Sequence, residues 1–143
     1  MIISIPLRTS SGLNAREHWR ARAKRVRTER LATGLVLNRQ TRPPIPCTVR
    51  LTRIAPSNGL DDDNLCGALK AVRDQVAEWL GVDDKDRASV RYVYAQRRGP
   101  WAVEIEFGEP MSEDLSAAWF TPLKAEHKTQ SPNSGAQLGA CIL

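Results

Sequence analysis

The chain has 143 residues, of which 41% are hydrophobic and 26% charged, the proportions of one soluble domain. It carries 21 Lys and Arg against 16 Asp and Glu, a formal net charge of +5. No apolar run reaches the ~18 residues of a membrane-spanning helix. No secretory leader is visible, and three separated cysteines with two histidines fit neither a disulfide framework nor a zinc site. The expected setting is a reducing cytoplasm.

In chain order, Met1 to Arg8 alternates, with Ile3, Ile5 and Leu7 on one face, and reads as a first strand. Asn14 can cap a helix running to about Asn38, basic in its first half and apolar in its second (Leu31, Leu35, Val36), with Gly34 as a weak point. Trp19 reads as a partial core anchor. After the stiff turn Arg42-Pro43-Pro44-Ile45-Pro46, Cys47 to Ala55 reads as a second strand, with Val49, Leu51 and then Arg53 in alternation. Asn64 to Leu80 is the clearest helix, since Leu65, Leu69, Val72, Val76 and Leu80 make one apolar stripe and Gly81 supplies a stop. Ala88 to Gln96 and Trp101 to Phe107 read as two strands joined by the turn Arg97-Arg98-Gly99-Pro100, hence as a hairpin. The order β-α-β-α-β-β predicts an α+β domain, a small mixed sheet of about four strands with two main helices packed on one face.

Charge divides the chain. Residues 1–108 hold 19 basic and 12 acidic residues, whereas residues 109–143 hold two and four. The second stretch has three prolines, a polar run from Lys128 to Gly135 and no sustained apolar period. A folded domain over 1–108 with a mobile or loosely docked tail over 109–143 is expected. Of the 21 basic residues 16 are Arg, whose rigid donor fork suits phosphate. Arg16, Arg20, Lys24 and Arg27 recur at steps of four, four and three and predict a helical stripe able to neutralise DNA phosphates; the same pattern also fits a solvated basic face.

Within this basic domain the acids gather around one helix. Asp61-Asp62-Asp63 precedes it, and Asp83-Asp84 follows it. Adjacent carboxylates repel unless solvated or neutralised, and a hard cation such as Mg2+ neutralises them through oxygen ligands. In an extended segment Asp61 and Asp63 would point the same way. Lys70 shares a helix face with Asp63, Gly67 and Asp74 and is expected near the carboxylates. The alternative is ordinary: Asp before a helix is a common cap, favoured by the helix dipole, and Asp83-Asp84 fits a polar turn. An EF-hand does not fit, because its twelfth loop position would be Val72.

The run Asp61-Asp62-Asp63-Asn64-Leu65, with Lys70, Asp74 and Gly81-Val82-Asp83-Asp84, resembles the RusA family of Holliday junction resolvases, small endodeoxyribonucleases often encoded by phages and prophages. The resemblance covers at least Pro46 to Phe107. Ser11-Gly12-Leu13-Asn14 after the first strand, similar to the family's Ser-x-x-Asn segment, extends it toward Met1. It implies Asp61, Asp63 and Asp84 as catalytic metal ligands for one or two Mg2+ ions, with Mn2+ able to substitute, and Lys70 as the catalytic lysine. The family's lysine lies about one turn earlier, where this chain has Gly67, and its basic loop before the motif is replaced by Ser57-Asn58-Gly59-Leu60. The implied activity is symmetric hydrolysis of phosphodiesters in four-way DNA junctions during recombination and repair, by a homodimer. The competing expectation is a branched-DNA-binding protein of the same fold that does not cut, or that is aimed at another structure.

Overall fold

The computed structural model describes residues 1–11, 16–83 and 85–110. The elements are β1 (Ile2–Ile5), α1 (Trp19–Leu37), β2 (Cys47–Ala55), α2 (Asp62–Leu80), β3 (Val90–Arg98) and β4 (Ala102–Gly108). They form an α+β fold with one four-stranded mixed sheet in the order β1-β4-β2-β3. β4 is antiparallel to both β1 and β2, and β3 is parallel to β2. Hence β1, β2 and β3 all run one way, and each helix is a crossover between strands of like direction. The helices share one face of the sheet, since Arg30 of α1 bonds Gln75 and Glu78 of α2.

The stripe on α2 behaves as its spacing requires: Leu65, Leu69, Val72, Val76 and Leu80 are all buried. They cover Val49 and Leu51 of β2, Tyr92 and Tyr94 of β3, Val103, Ile105 and Phe107 of β4, and Ile3 and Ile5 of β1. Each large side chain removed from water contributes roughly 1.5–3 kcal/mol. Trp79 joins this core against Phe107, with ring centroids 5.7 Å apart. Gly81 ends the helix at φ 74°, a left-handed conformation that costs glycine nothing.

The β3–β4 hairpin expected from Arg97-Arg98-Gly99-Pro100 does not form. The two strands lie on opposite sides of β2, with Ala55 paired to Arg98 and Ile54 to Ala102. The short link therefore steps around the end of β2, across two strand spacings or about 10 Å. Gly99 makes this possible. Its N–H donates to the Ala55 carbonyl at 3.0 Å, and a Cβ there would stand 2.8 Å from Cγ2 of Ile54.

α1 departs from expectation at its start. It begins at Trp19 with His18 as N-cap, whose Nδ1 accepts from the Arg20 N–H at 3.3 Å, and Asn14 lies outside the described residues. Arg25 bonds the Glu17 carboxylate at 3.1 Å and the Ser10 carbonyl at 3.4 Å, drawing the preceding segment alongside the helix instead of into it. Arg16 is thus exposed but not helical. Gly34 does not break α1; its missing side chain admits Gln75, whose Nε2 would lie 3.2 Å from a Cβ. The buried line of α1 is Glu29, Thr33, Gly34 and Leu37, so Leu31 and Leu35 face outward. Burial raises the Glu29 pKa above the usual carboxylate value, opposed by the Arg25 hydrogen bond. Trp19 is no core anchor: it is 67% exposed, beside the His18 ring and the Arg20 guanidinium. Trp101 precedes β4 and is only half-buried. β4 closes at Gly108, and the expected tail lies outside the described residues from residue 111 onward.

Candidate active site at the carboxyl edge of the sheet

β1, β2 and β3 deliver their carboxyl ends to one edge, and both helices begin there. In open sheets with parallel strands, the loops at this edge converge and carry ligand sites. Three loops meet here: the one after β1 (Arg8 to Ser11), the one after β2 (Pro56 to Asp61) and the β3–β4 step.

Asp61 is the N-cap of α2. Its backbone is extended, and its Oδ1 accepts from the Asn64 N–H at 2.9 Å. Asp62 and Asp63 occupy the first helical turn, where free N–H groups and the helix dipole favour negative charge. Asp63 is therefore helical, and the expectation that it and Asp61 share one side of an extended segment fails. Both side chains are exposed at the same helix end. The Ser11 hydroxyl donates to Oδ1 of Asn64, joining the loop after β1 to the Asp-x-Asp-Asn turn. Gln96 of β3 fixes the approach to that turn, accepting from the Leu60 N–H at 2.8 Å and donating to the Leu60 carbonyl at 2.6 Å.

Lys70 is not among these carboxylates. It stands seven residues from Asp63, about 10 Å along the helix. Its Nζ donates to Oδ2 of Asp74 at 2.6 Å, in the groove between α1 and α2 that Arg22, Arg25 and Gly67 also line. Arg73 donates to the other Asp74 oxygen at 3.3 Å.

The second acidic cluster lies at the opposite end of α2. A helix of 19 residues is about 28 Å long, and Asp83 follows its C-cap. Asp84 lies outside the described residues. Asp83 accepts from the Lys85 N–H at 3.0 Å. Asp86 accepts from the Ser89 hydroxyl and from the N–H groups of Ala88 and Ser89, bonds that lower its pKa and close a turn into β3. Among the described residues no group of three His, Cys, Asp or Glu side chains gathers around one point.

Comparison with family models, curated proteins and solved structures finds no match. The site's chemistry therefore rests on its own residues. Mg2+ takes oxygen ligands and commonly binds through one or two carboxylates together with substrate phosphate and water. The exposed Asp61 and Asp63 fit that donor set.

Basic side chains lie along the neighbouring helix. Arg20, Lys24 and Arg27 are exposed along α1, as the stripe predicts, with Arg16 just ahead of them. The helices run side by side in the same direction, so the α1 N-terminus stands beside the first turn of α2. Arg53, by contrast, is 4% exposed and occupies a core-facing position of β2, with its guanidinium 5.4 Å from the Trp101 ring centre. Arg8 approaches the same ring at 5.1 Å. The signal for Arg53 in the sequence was its place after Val49 and Leu51 in the inward alternation. The Ser11–Asn64 bond spans 53 residues, and no local pattern announces it.

Proposed function

We propose that the chain is a Mg2+-dependent, structure-selective endodeoxyribonuclease of the RusA kind, acting on four-way DNA junctions as a homodimer. The observation that carries this reading is the Ser11–Asn64 bond. It joins Ser11, where the segment that extends the resemblance begins, to the Asp-rich turn that carries it, at the edge where sheets of this topology commonly bind ligands.

Asp61 and Asp63 would hold the metal. Bound there, Mg2+ supplies Lewis-acid stabilisation of the scissile phosphate and activation of the attacking water. The Asn64 N–H holds one oxygen of Asp61 and leaves the other to face outward. Arg16, Arg20, Lys24 and Arg27 neutralise backbone phosphates and offset the repulsion between DNA and the carboxylates. Lys70, in the groove between the helices, meets a phosphate of DNA lying along that groove. Asp83 stands beyond the far end of α2, about 28 Å from Asp61, so this reading does not draw the third carboxylate of a metal site from the Asp83-Asp84 pair of the same chain. A second copy has to supply it, which is the role the homodimer takes in this reading.

The test offers a synthetic four-way junction, a linear duplex and a flap to the protein, with Mg2+ or with EDTA. Paired symmetric cuts in the junction, dependent on Mg2+ and lost in Asp63→Asn while binding persists, are expected. Absence of cleavage on every branched substrate with Mg2+ or Mn2+ would falsify the enzyme reading and leave a binding protein of this fold.

A further inference from the structure

Beside the Asp61 turn is a recess of about 250 Å³, lined by Arg53 and Gln96 from the strands, by the Ser57-Asn58-Gly59 loop, and by Arg97 and Arg98. Three arginines are among its lining residues, and no acidic side chain is among the described residues that line it. Arg97 has a counter-charge in Glu104 on the other face of the sheet, and Arg98 Nε donates to the Pro56 carbonyl at 3.2 Å. Arg53 has neither. It is 4% exposed, and its Nε finds no hydrogen-bond partner among the described residues. Among the described residues its guanidinium lies against the Trp101 ring face, which it shares with Arg8.

A buried guanidinium without an anion is costly, since desolvation disfavours the charge and nothing nearby restores it. Burial accordingly lowers the Arg53 pKa. Such a side chain persists where a ligand completes it. The missing partner must be anionic, must accept several N–H bonds, and must fit between a guanidinium fork and a polar loop. A tetrahedral phosphate meets these conditions, and arginine binds it in two-pronged fashion. The Ser57 hydroxyl and the Asn58 amide add neutral donors at the rim.

We propose that this recess is a phosphate-binding site, with Arg53 as its buried anchor and Arg97 and Arg98 as its rim, and that it seats a backbone phosphate of the DNA strand that crosses the Asp61 turn. The phosphate chemistry stands on the recess alone; its assignment to a DNA strand rests on the nuclease reading.

The test compares the full chain with Arg53→Met, Arg98→Ala and, as a control for loss of one charge, Arg42→Ala in the exposed loop before β2. Thermal midpoints are followed as inorganic phosphate replaces chloride at constant ionic strength. Junction binding is measured separately in EDTA, where no cutting occurs. The unmodified chain and Arg42→Ala are expected to gain stability with phosphate. Arg53→Met should lose the response, and Arg98→Ala should weaken it. Junction affinity should fall about tenfold in Arg53→Met, and the dependence of log K on log salt should shallow by about one unit. An undiminished phosphate response in Arg53→Met overturns the site, and Arg98→Ala decides the matter if Arg53→Met does not fold. A phosphate response that Arg53→Met abolishes without change in junction binding overturns the DNA assignment and leaves a site for free phosphate. These readouts are independent of cleavage, so failure of the nuclease reading registers separately.

Discussion

Asp61 fills one of the two roles that the sequence left as alternatives and stays compatible with the other. It caps α2 through Oδ1 and the Asn64 N–H, as a helix-initiating Asp should, and still presents carboxylate to the exposed edge. Two substitutions separate the roles. Asparagine caps about as well as aspartate, so Asp61→Asn should keep stability within about 0.5 kcal/mol while removing the proposed metal ligand. Asp61→Ala loses both functions and should cost about 1 kcal/mol more. Chemical denaturation measures the first quantity and Mg2+-dependent cleavage the second. Equal cleavage by Asp61→Asn and the unmodified chain would leave Asp61 as a cap alone. Arg53 carries the opposite lesson. A charged residue at an inward-facing strand position is visible in sequence, but what it lacks is visible only when its surroundings are assembled.

At the level of elements, α2 was legible throughout. Five apolar residues at helical spacing leave one orientation in which the stripe is buried, and a glycine at the stop leaves one place to end. The partner of β3 was not legible. Four residues rich in arginine, glycine and proline between two strands fit a hairpin as well as a step around β2, and local turn chemistry does not distinguish them. The observed step brings Gly99, which has no side chain, against Ile54, a contact that nothing local in the sequence announces. Gly99→Ala should therefore destabilise the fold by about 1–3 kcal/mol through overpacking. Ile54→Ala, which removes Cγ2, should recover part of that loss in the double variant, with a coupling of at least about 0.5 kcal/mol in a double-mutant cycle. Strict additivity would place the cost elsewhere. α1 was legible in its end and not in its beginning, because Arg25 gathers Ser10 and Glu17 from outside the helix.

At the level of the whole molecule, the sheet sends the two acidic clusters to opposite edges. Asp61 and Asp63 sit where β2 ends and Asp83 where β3 is about to begin, so the metal site assembled from Asp61, Asp63 and Asp84 is a property of two chains in the proposed enzyme. Mixing tests this. Asp63→Asn and Asp84→Asn should each be inactive alone. Mixed after brief unfolding and refolding, they should regain nicking on one strand of the junction, since a hetero-dimer contains one intact pairing of clusters. No recovery, with mixed dimers demonstrated, would mean that each chain carries its own complete site or that Asp84 is not a ligand.

The sequence by itself determined the alternation of elements, the buried stripe of α2, the basic stripe of α1 and the Asp-rich turn at the head of a helix. All of these are repeats or caps written within a few residues of one another. Tertiary structure alone decided that β4 enters between β1 and β2, that Ser11 reaches Asn64, and that Arg53 is buried where it lines the recess. Each of those depends on contacts between residues far apart in the chain. Periodicity says which face of an element turns inward and leaves open what that face will meet.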